Sequence, residues 1–218
     1  AGYDVTVFEA RKRVGGRVWS EPIDGPDGTG PIIERGAEFV LDGYDHMRRW
    51  LERFGLELAN TGMSYYERDA YGVDDVSRDD IRAGATLLAA TAHEPSESVG
   101  DVLARVDIRP EVAATIGARI QVSCAYGVDQ LNVSVIDHTA SFSPLPSFRV
   151  ATGNQSLAKA MAAFLGDRIH VDTPVTEIVW SELGAQIHTG TSTHDVDAVI
   201  VTVPLPHLQE LPFTPPLP

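Results

Sequence analysis

A single cysteine, Cys124, stands in 218 residues, so no disulfide can form within the chain. It sits among Ala, Ser and Tyr with no histidine or arginine beside it to activate it, and reads as a small core residue. Such cysteine usage fits a reducing compartment, and the expected location is cytoplasmic. No apolar run approaches the roughly 20 residues that span a bilayer, and no signal peptide is visible, so no membrane partner is expected. Positive charge is scarce: 17 Lys and Arg stand against 31 Asp and Glu, a formal net charge of −14. A chain of that sign repels polyanions, which excludes nucleic acid as a main partner. The paired acids Asp74-Asp75 and Asp79-Asp80 lack histidines at ligand spacing and read as solvated surface, so no metal site is expected. His93 and His138 are isolated and read as structural. Internal repeats and low-complexity tracts are absent.

What remains is an ordinary globular composition, 43% apolar and 22% charged. The length suits one large domain or two small ones, with a core that needs no crosslinks. The opening is informative. Gly2 reads as the residue past a helix C-terminus, and Val5, Val7 and Phe8 as a buried strand that ends on Glu9. In a dinucleotide-binding fold the order is strand, glycine-rich turn, helix, second strand, then an acid that hydrogen-bonds the ribose. Gly2 to Glu9 matches the end of that series, and the preceding strand and G-x-G-x-x-G are not in the sequence. Without that strand the middle of a parallel sheet lacks partners, and the pyrophosphate lacks its helix N-terminus. The expectation is a fragment, or a subunit whose fold a second polypeptide completes.

The segment Val7-Phe8-Glu9-Ala10-Arg11-Lys12-Arg13-Val14-Gly15-Gly16-Arg17 resembles the hallmark of flavin-containing amine oxidases. That family includes monoamine, polyamine and L-amino-acid oxidases and, more distantly, phytoene desaturases and protoporphyrinogen oxidase. The chemistry agrees residue by residue. Glu9 can accept from both ribose hydroxyls, Gly15 and Gly16 permit close approach of backbone, and Arg17 offers a planar cation to a pyrophosphate. By resemblance Ala10 and Arg11 lie near the adenosine end of FAD. A second stretch, Ile33-Glu34-Arg35-Gly36-Ala37-Glu38-Phe39-Val40, resembles the family segment whose backbone passes the isoalloxazine ring. Gly36, Ala37, Glu38 and Phe39 would face the flavin or the substrate cavity. Gly153-Asn154-Gln155-Ser156-Leu157 resembles the family's G-G-x-x-x-L element, with Thr152 in place of its first glycine, and opens a helix to about Leu165. In the strand through Ile169 to Ile178, Val175 would contact the adenine through its backbone. A polar, edge-like strand pair follows, carrying Gln186, His188 and Thr189. The continuous apolar run Ala198-Val199-Ile200-Val201-Thr202-Val203 predicts a parallel strand buried on both faces.

Between these matches, helical spacing marks 44–58, with Gly55 ending its regular part, and 83–93, 99–106 and 110–123, with Ser98 or Ser96 as a cap and Pro110 in a first turn. Tyr65, Tyr66 and Tyr71 read as packing residues. The fold class expected is α/β: a partial FAD-binding Rossmann-like domain of the glutathione-reductase type with an α+β substrate domain. The expected division is 1–42 and 151–206 for the FAD domain, 43–150 for the helical substrate part, and 207–218 for the start of its continuation. The resemblance implies FAD as cofactor and an amine or L-amino acid as substrate. The substrate would be oxidised to an imine, with oxygen as acceptor and hydrogen peroxide as product. It places the catalytic lysine and aromatic residues outside this chain. Two alternatives stand: a desaturase or protoporphyrinogen-oxidase-like enzyme on the same frame, and a non-catalytic flavoprotein fragment or subunit.

Overall fold

The computed structural model describes residues 2–23, 30–65, 75–136, 145–190 and 192–217. Tyr66, Tyr71, Asp74 and His138 lie outside the described residues. The chain divides into two compact units: 1–38, 45–58 and 150–218 form the first, 39–44 and 59–149 the second. The helical segment 45–58 thus groups with the first unit.

In the first unit β1 (Val7–Phe8) pairs in parallel with β6 (Ile169–His170). The pairing continues past both strands, because Glu9 N–H donates to the His170 carbonyl at 2.9 Å and Thr173 N–H to the Glu9 carbonyl at 3.0 Å. A hairpin of β2 (Ser20–Pro22) and β3 (Ile32–Glu34) sets Ser20 opposite Glu34. Helix α1 (Asp45–Arg53) stops as its glycine predicts: Gly55 N–H bonds the Glu52 carbonyl and Leu56 N–H the Leu51 carbonyl, a Schellman closure.

Helix α5 (Gln155–Leu165) occupies the expected span. The largest sheet runs β10 (Phe213–Thr214), β7 (Val175–Ser181), β8 (Gly184–Thr189), β9 (Thr193–Val196). Gln186, His188 and Thr189 lie on β8, which forms an antiparallel pair with β9 at the end of this sheet, in keeping with the edge-like pair read from the sequence. One sequence expectation fails in this unit. The run 198–203 pairs with no strand among the described residues, and Ile200 is 89% exposed. A parallel strand exists only by virtue of its ladder partners, and none of the described strands flanks this one.

The second unit is helical. Its helices are α2 (Arg78–Ala90), α3 (Val99–Arg105) and α4 (Pro110–Cys124). Ile81, Ala85 and Leu88 of α2 meet Val99 and Val102 of α3 and Val112, Ile116 and Ile120 of α4 in one apolar core. Cys124 packs half-buried against it. The strands β4 (Leu58–Asn60) and β5 (Phe148–Val150) lie where the chain passes between the units. A short helix, α6 (Leu205–Leu208), follows the 198–203 run in the first unit.

Two Ser-x-x-Asp capping boxes start α2 and α3: Ser77 with Asp80, and Ser98 with Asp101. Asp79 and Asp80, read from sequence as bare surface acids, therefore have structural work. Asp79 pairs with Arg82, while Asp80 caps α2 and pairs with Arg109 at 3.1 Å. Hydrogen bonds from the Ser77 hydroxyl and backbone hold the Asp80 carboxyl below its ordinary value of 3.8, and those from the Ser98 backbone and hydroxyl do the same for Asp101.

A lowered carboxyl pKa means that the unfolded chain binds more protons in acid. The contribution of these caps is therefore complete above the ordinary carboxylate range and lost as pH falls through and below it. Ser77→Ala and Ser98→Ala should each lower stability by about 1 kcal/mol at neutral pH. Chemical denaturation repeated from pH 7 down to pH 3 should show a shallower acid loss in the variants than in the parent.

Candidate functional site

Glu9 ends β1 half-buried, and its Oε1 accepts the Arg11 N–H at 2.8 Å, which curls the chain just after the strand. The Arg11 carbonyl accepts the Asp172 N–H at 2.9 Å, so residues 9–11 and 170–173 run side by side. Val175 opens β7 two residues beyond Thr173, opposite Thr189 and beside a register shift. This brings Glu9, Ala10 and Arg11 close in the fold to the strand that carries Val175.

The second group is built on the glycine turn. Gly15 and Gly16 take φ of +103° and +53°, and Val18 N–H closes the turn on the Gly15 carbonyl at 2.8 Å. A Cβ on Gly15 would stand 2.5 Å from the Val18 carbonyl oxygen. Arg13 lies over the Trp19 ring at 4.6 Å and donates through Nη2 to the Gly16 carbonyl at 2.9 Å. Its Nη1 is buried with no hydrogen-bond partner among the described residues. The Arg17 carbonyl accepts the Ala37 N–H at 3.1 Å, and Arg35 N–H donates to the Trp19 carbonyl at 2.7 Å. These bonds stitch the two matched motifs, 7–17 and 33–40, edge to edge. Gly36 lies on the seam, where an added Cβ would run into the Arg17 carbonyl.

Gly36, Ala37 and Glu38 are exposed. Phe39 belongs to the second unit, where its ring packs on Tyr65 at 5.1 Å between centroids. The Arg11 and Arg17 side chains are exposed, and neither forms an ion pair with an acid among the described residues, although Lys12 meets Asp172 at 3.8 Å. No group of three or more His, Cys, Asp and Glu among the described residues could hold a metal ion. A concavity at the end of the large sheet, lined by Trp180, Leu183, Gln186 and Asp195, includes none of these residues.

Sequence reasoning missed the residues beneath the seam. Asn154 and Gln155 are each 3% exposed. Asn154 Nδ2 donates to the carbonyls of Ala37 and Glu38 at 2.9 and 2.7 Å. Gln155 Nε2 donates to the Val14 carbonyl at 2.8 Å. The available signal was two adjacent carboxamides opening an otherwise apolar helix.

The family model for flavin containing amine oxidoreductases matches residues 1–94 and 130–218. The chain belongs to this family. Among curated relatives, a Mycobacterium tuberculosis protein named as a flavin-containing monoamine oxidase, AofH, is 25% identical over 262 residues, covering all of this chain and 55% of the relative. Putrescine oxidase of Kocuria rosea is 26% identical over 272 residues, with the same coverage. The chain thus spans about half the length of the curated relatives it matches. Two solved structures share the fold. Wild-type putrescine oxidase bound to putrescine has a TM-score of 0.75 at 22% identity, and cyclohexylamine oxidase from Brevibacterium oxydans IH-35A has 0.71 at 19%. All of this chain aligns to 56% of each. The α/β class expected from the sequence is the fold of this flavin-containing family.

Gly36→Ala should cost about 1–3 kcal/mol, because the added methyl forces the Arg17 and Gly36 backbones apart. Thermal unfolding measures it, and a stability within 0.5 kcal/mol of the parent, the usual reach of a neutral surface change, would contradict this account of the seam.

Proposed function

We propose that the chain carries much of the FAD site, and part of the substrate-domain wall, of an enzyme that oxidises a small amine or L-amino acid to an imine. The observation that supports this most is the seam, which lays the cofactor motif of Glu9 to Arg17 against the motif of Gly36 to Glu38. The residues fit FAD in charge and in space. Arg11 and Arg17 extend guanidinium groups that pair with no carboxylate among the described residues, in a chain that is otherwise strongly acidic. Gly16 leaves open space where a Cβ would point, while Gly15 and Gly36 let the turn and the seam close on the Val18 and Arg17 carbonyls. In this reading Glu9 binds the adenosine ribose through its second carboxylate oxygen, Ala10 and Arg11 border the adenosine, and Val175 meets the adenine through its backbone. Gly15, Gly16 and Arg17 receive the pyrophosphate. Gly36, Ala37, Glu38 and Phe39 border the ring or the substrate cavity.

Bound FAD supplies the acceptor for the hydride of the substrate C–N carbon, with oxygen as terminal acceptor and hydrogen peroxide as product. The acidic surface favours approach of a cationic amine. The complete protein should be yellow, release peroxide with amines or amino acids, and lose FAD affinity roughly ten- to a hundredfold in Arg17→Ala, the worth of a charged hydrogen bond. A complete protein that takes up no FAD would overturn the reading. Turnover of a large apolar substrate with none on amines would favour the desaturase alternative.

We also propose that polypeptide beyond these 218 residues, in the same chain or a second one, pairs along the apolar run 198–203. Its support is the exposure of Val199, Ile200, Val201 and Val203, a continuous apolar patch that water disfavours. In the complete protein the amides of 199–203 should exchange with solvent at least a hundredfold more slowly than free chain, as sheet amides do. Free-chain exchange there would sink the proposal.

A further inference from the structure

The buried carboxamides of Asn154 and Gln155 grip two different parts of the candidate site from one place in the fold. Asn154 uses both ends of its carboxamide and its own backbone N–H. Besides donating to Ala37 and Glu38, its Oδ1 accepts the Val150 N–H at 2.8 Å, and its own N–H donates to Glu34 Oε1 at 2.8 Å. Gln155 faces the other way along the chain. Its N–H donates to Ser20 Oγ at 2.9 Å, its Oε1 accepts the Ser20 N–H at 3.4 Å, and its Nε2 holds Val14. The Ser20 hydroxyl donates to Glu34 Oε2 at 2.6 Å and so joins the two sets. Gln155 also lies directly against the glycine turn, since a Cβ on Gly15 would come within 3.2 Å of its Cγ.

Ala37 and Glu38 are exposed residues, whose carbonyls water could satisfy. Taking both with one buried side chain costs the entropy of ordering that segment, and stability alone does not require it. A planar ring that stacks on backbone does require it, because a rotation of about 20° in either peptide would change the approach surface. The turn at Gly15 has the same need toward a phosphate.

We propose that Asn154 and Gln155 are positioning residues with separable tasks: Asn154 sets the backbone of 36–38 against the isoalloxazine, and Gln155 sets the Gly15 turn against the pyrophosphate. The proposal rests on the FAD-site reading above. Two variants of the complete protein, Asn154→Ala and Gln155→Ala, separate the tasks when measured with two probes. ADP carries the pyrophosphate and no ring; FAD carries both. Asn154→Ala should bind ADP within about twofold of the parent, while the flavin absorption bands and midpoint potential shift. Gln155→Ala should weaken ADP binding roughly tenfold, the loss expected for one hydrogen bond to the turn, with the flavin bands unmoved.

Asn154→Leu keeps the shape without adding a charge while removing the paired donors, so it should reproduce the Asn154→Ala spectrum even where the cavity left by alanine impairs folding. Equal losses of ADP and FAD affinity in both variants, with unshifted bands, would show a merely structural role and overturn the proposal. So would wild-type behaviour throughout, or failure of both Asn154 variants to yield folded protein. A parent that takes up no FAD is a different result, and it removes the reading beneath.

Discussion

Four polar side chains buried or half-buried beneath an exposed seam hold the first unit's candidate site in register. Ser20, Glu34, Asn154 and Gln155 form a closed set in which each partner satisfies another. They come from the hairpin strands β2 and β3 and from the start of α5, segments separated by more than a hundred residues. Removing one member of such a network leaves buried donors and acceptors without partners, at a cost in stability. It therefore does what an apolar contact cannot. Leucines would hold β2 and α5 together, but they would tolerate sliding; directional bonds at fixed distances do not. The exposed backbone of 36–38 inherits its position from that network.

The second unit is held together differently. Its helices meet through Leu88, Val99, Val102, Ile116 and Ile120, all inaccessible to solvent, and two serine–aspartate boxes fix where α2 and α3 begin. Arg105 adds a clasp, reaching the Glu97 carboxylate and the Ala92 carbonyl at 2.7 Å, and its hydrogen bond is the chief reason that the Glu97 carboxyl is held below its ordinary range. These devices are local in sequence. They order short helices that would be marginal alone.

Locality also decides what the sequence made legible. The span of α5, the stop at Gly55, the cap at Ser98 and the proline at the start of α4 all depend on residues within a turn of one another. The motif of Glu9 to Arg17 was legible for the same reason, since its spacing is its signature. Ser77 was equally local but was missed, because Asp79 and Asp80 were weighed as charges and not as capping partners. What failed was long-range. The run 198–203 was assigned to a strand by hydrophobicity, which measures the wish to be covered and not the presence of a cover. Asn154 and Gln155 were read only as the opening of a helix, because a carboxamide becomes informative only once its distant carbonyls are known.

Charge poses the remaining constraint. A chain with a formal charge of −14 repels an anionic dinucleotide as a whole, yet the resemblance and the fold point to one. The conflict resolves by distance. At physiological ionic strength charges act over about 8 Å, so the field that a pyrophosphate meets is set by its immediate neighbours. At the glycine turn proposed for it the nearby cations are Arg13 and Arg17, and neither forms an ion pair with an acid among the described residues. Had surface acids paired with them, little stability would have been gained, since exposed pairs contribute at most about 1 kcal/mol. The local positive potential would have been cancelled. Unpaired cations beside the turn keep a local field that suits an anion on an acidic protein, and the buried Nη1 of Arg13, without a partner among the described residues, lies beside the proposed site.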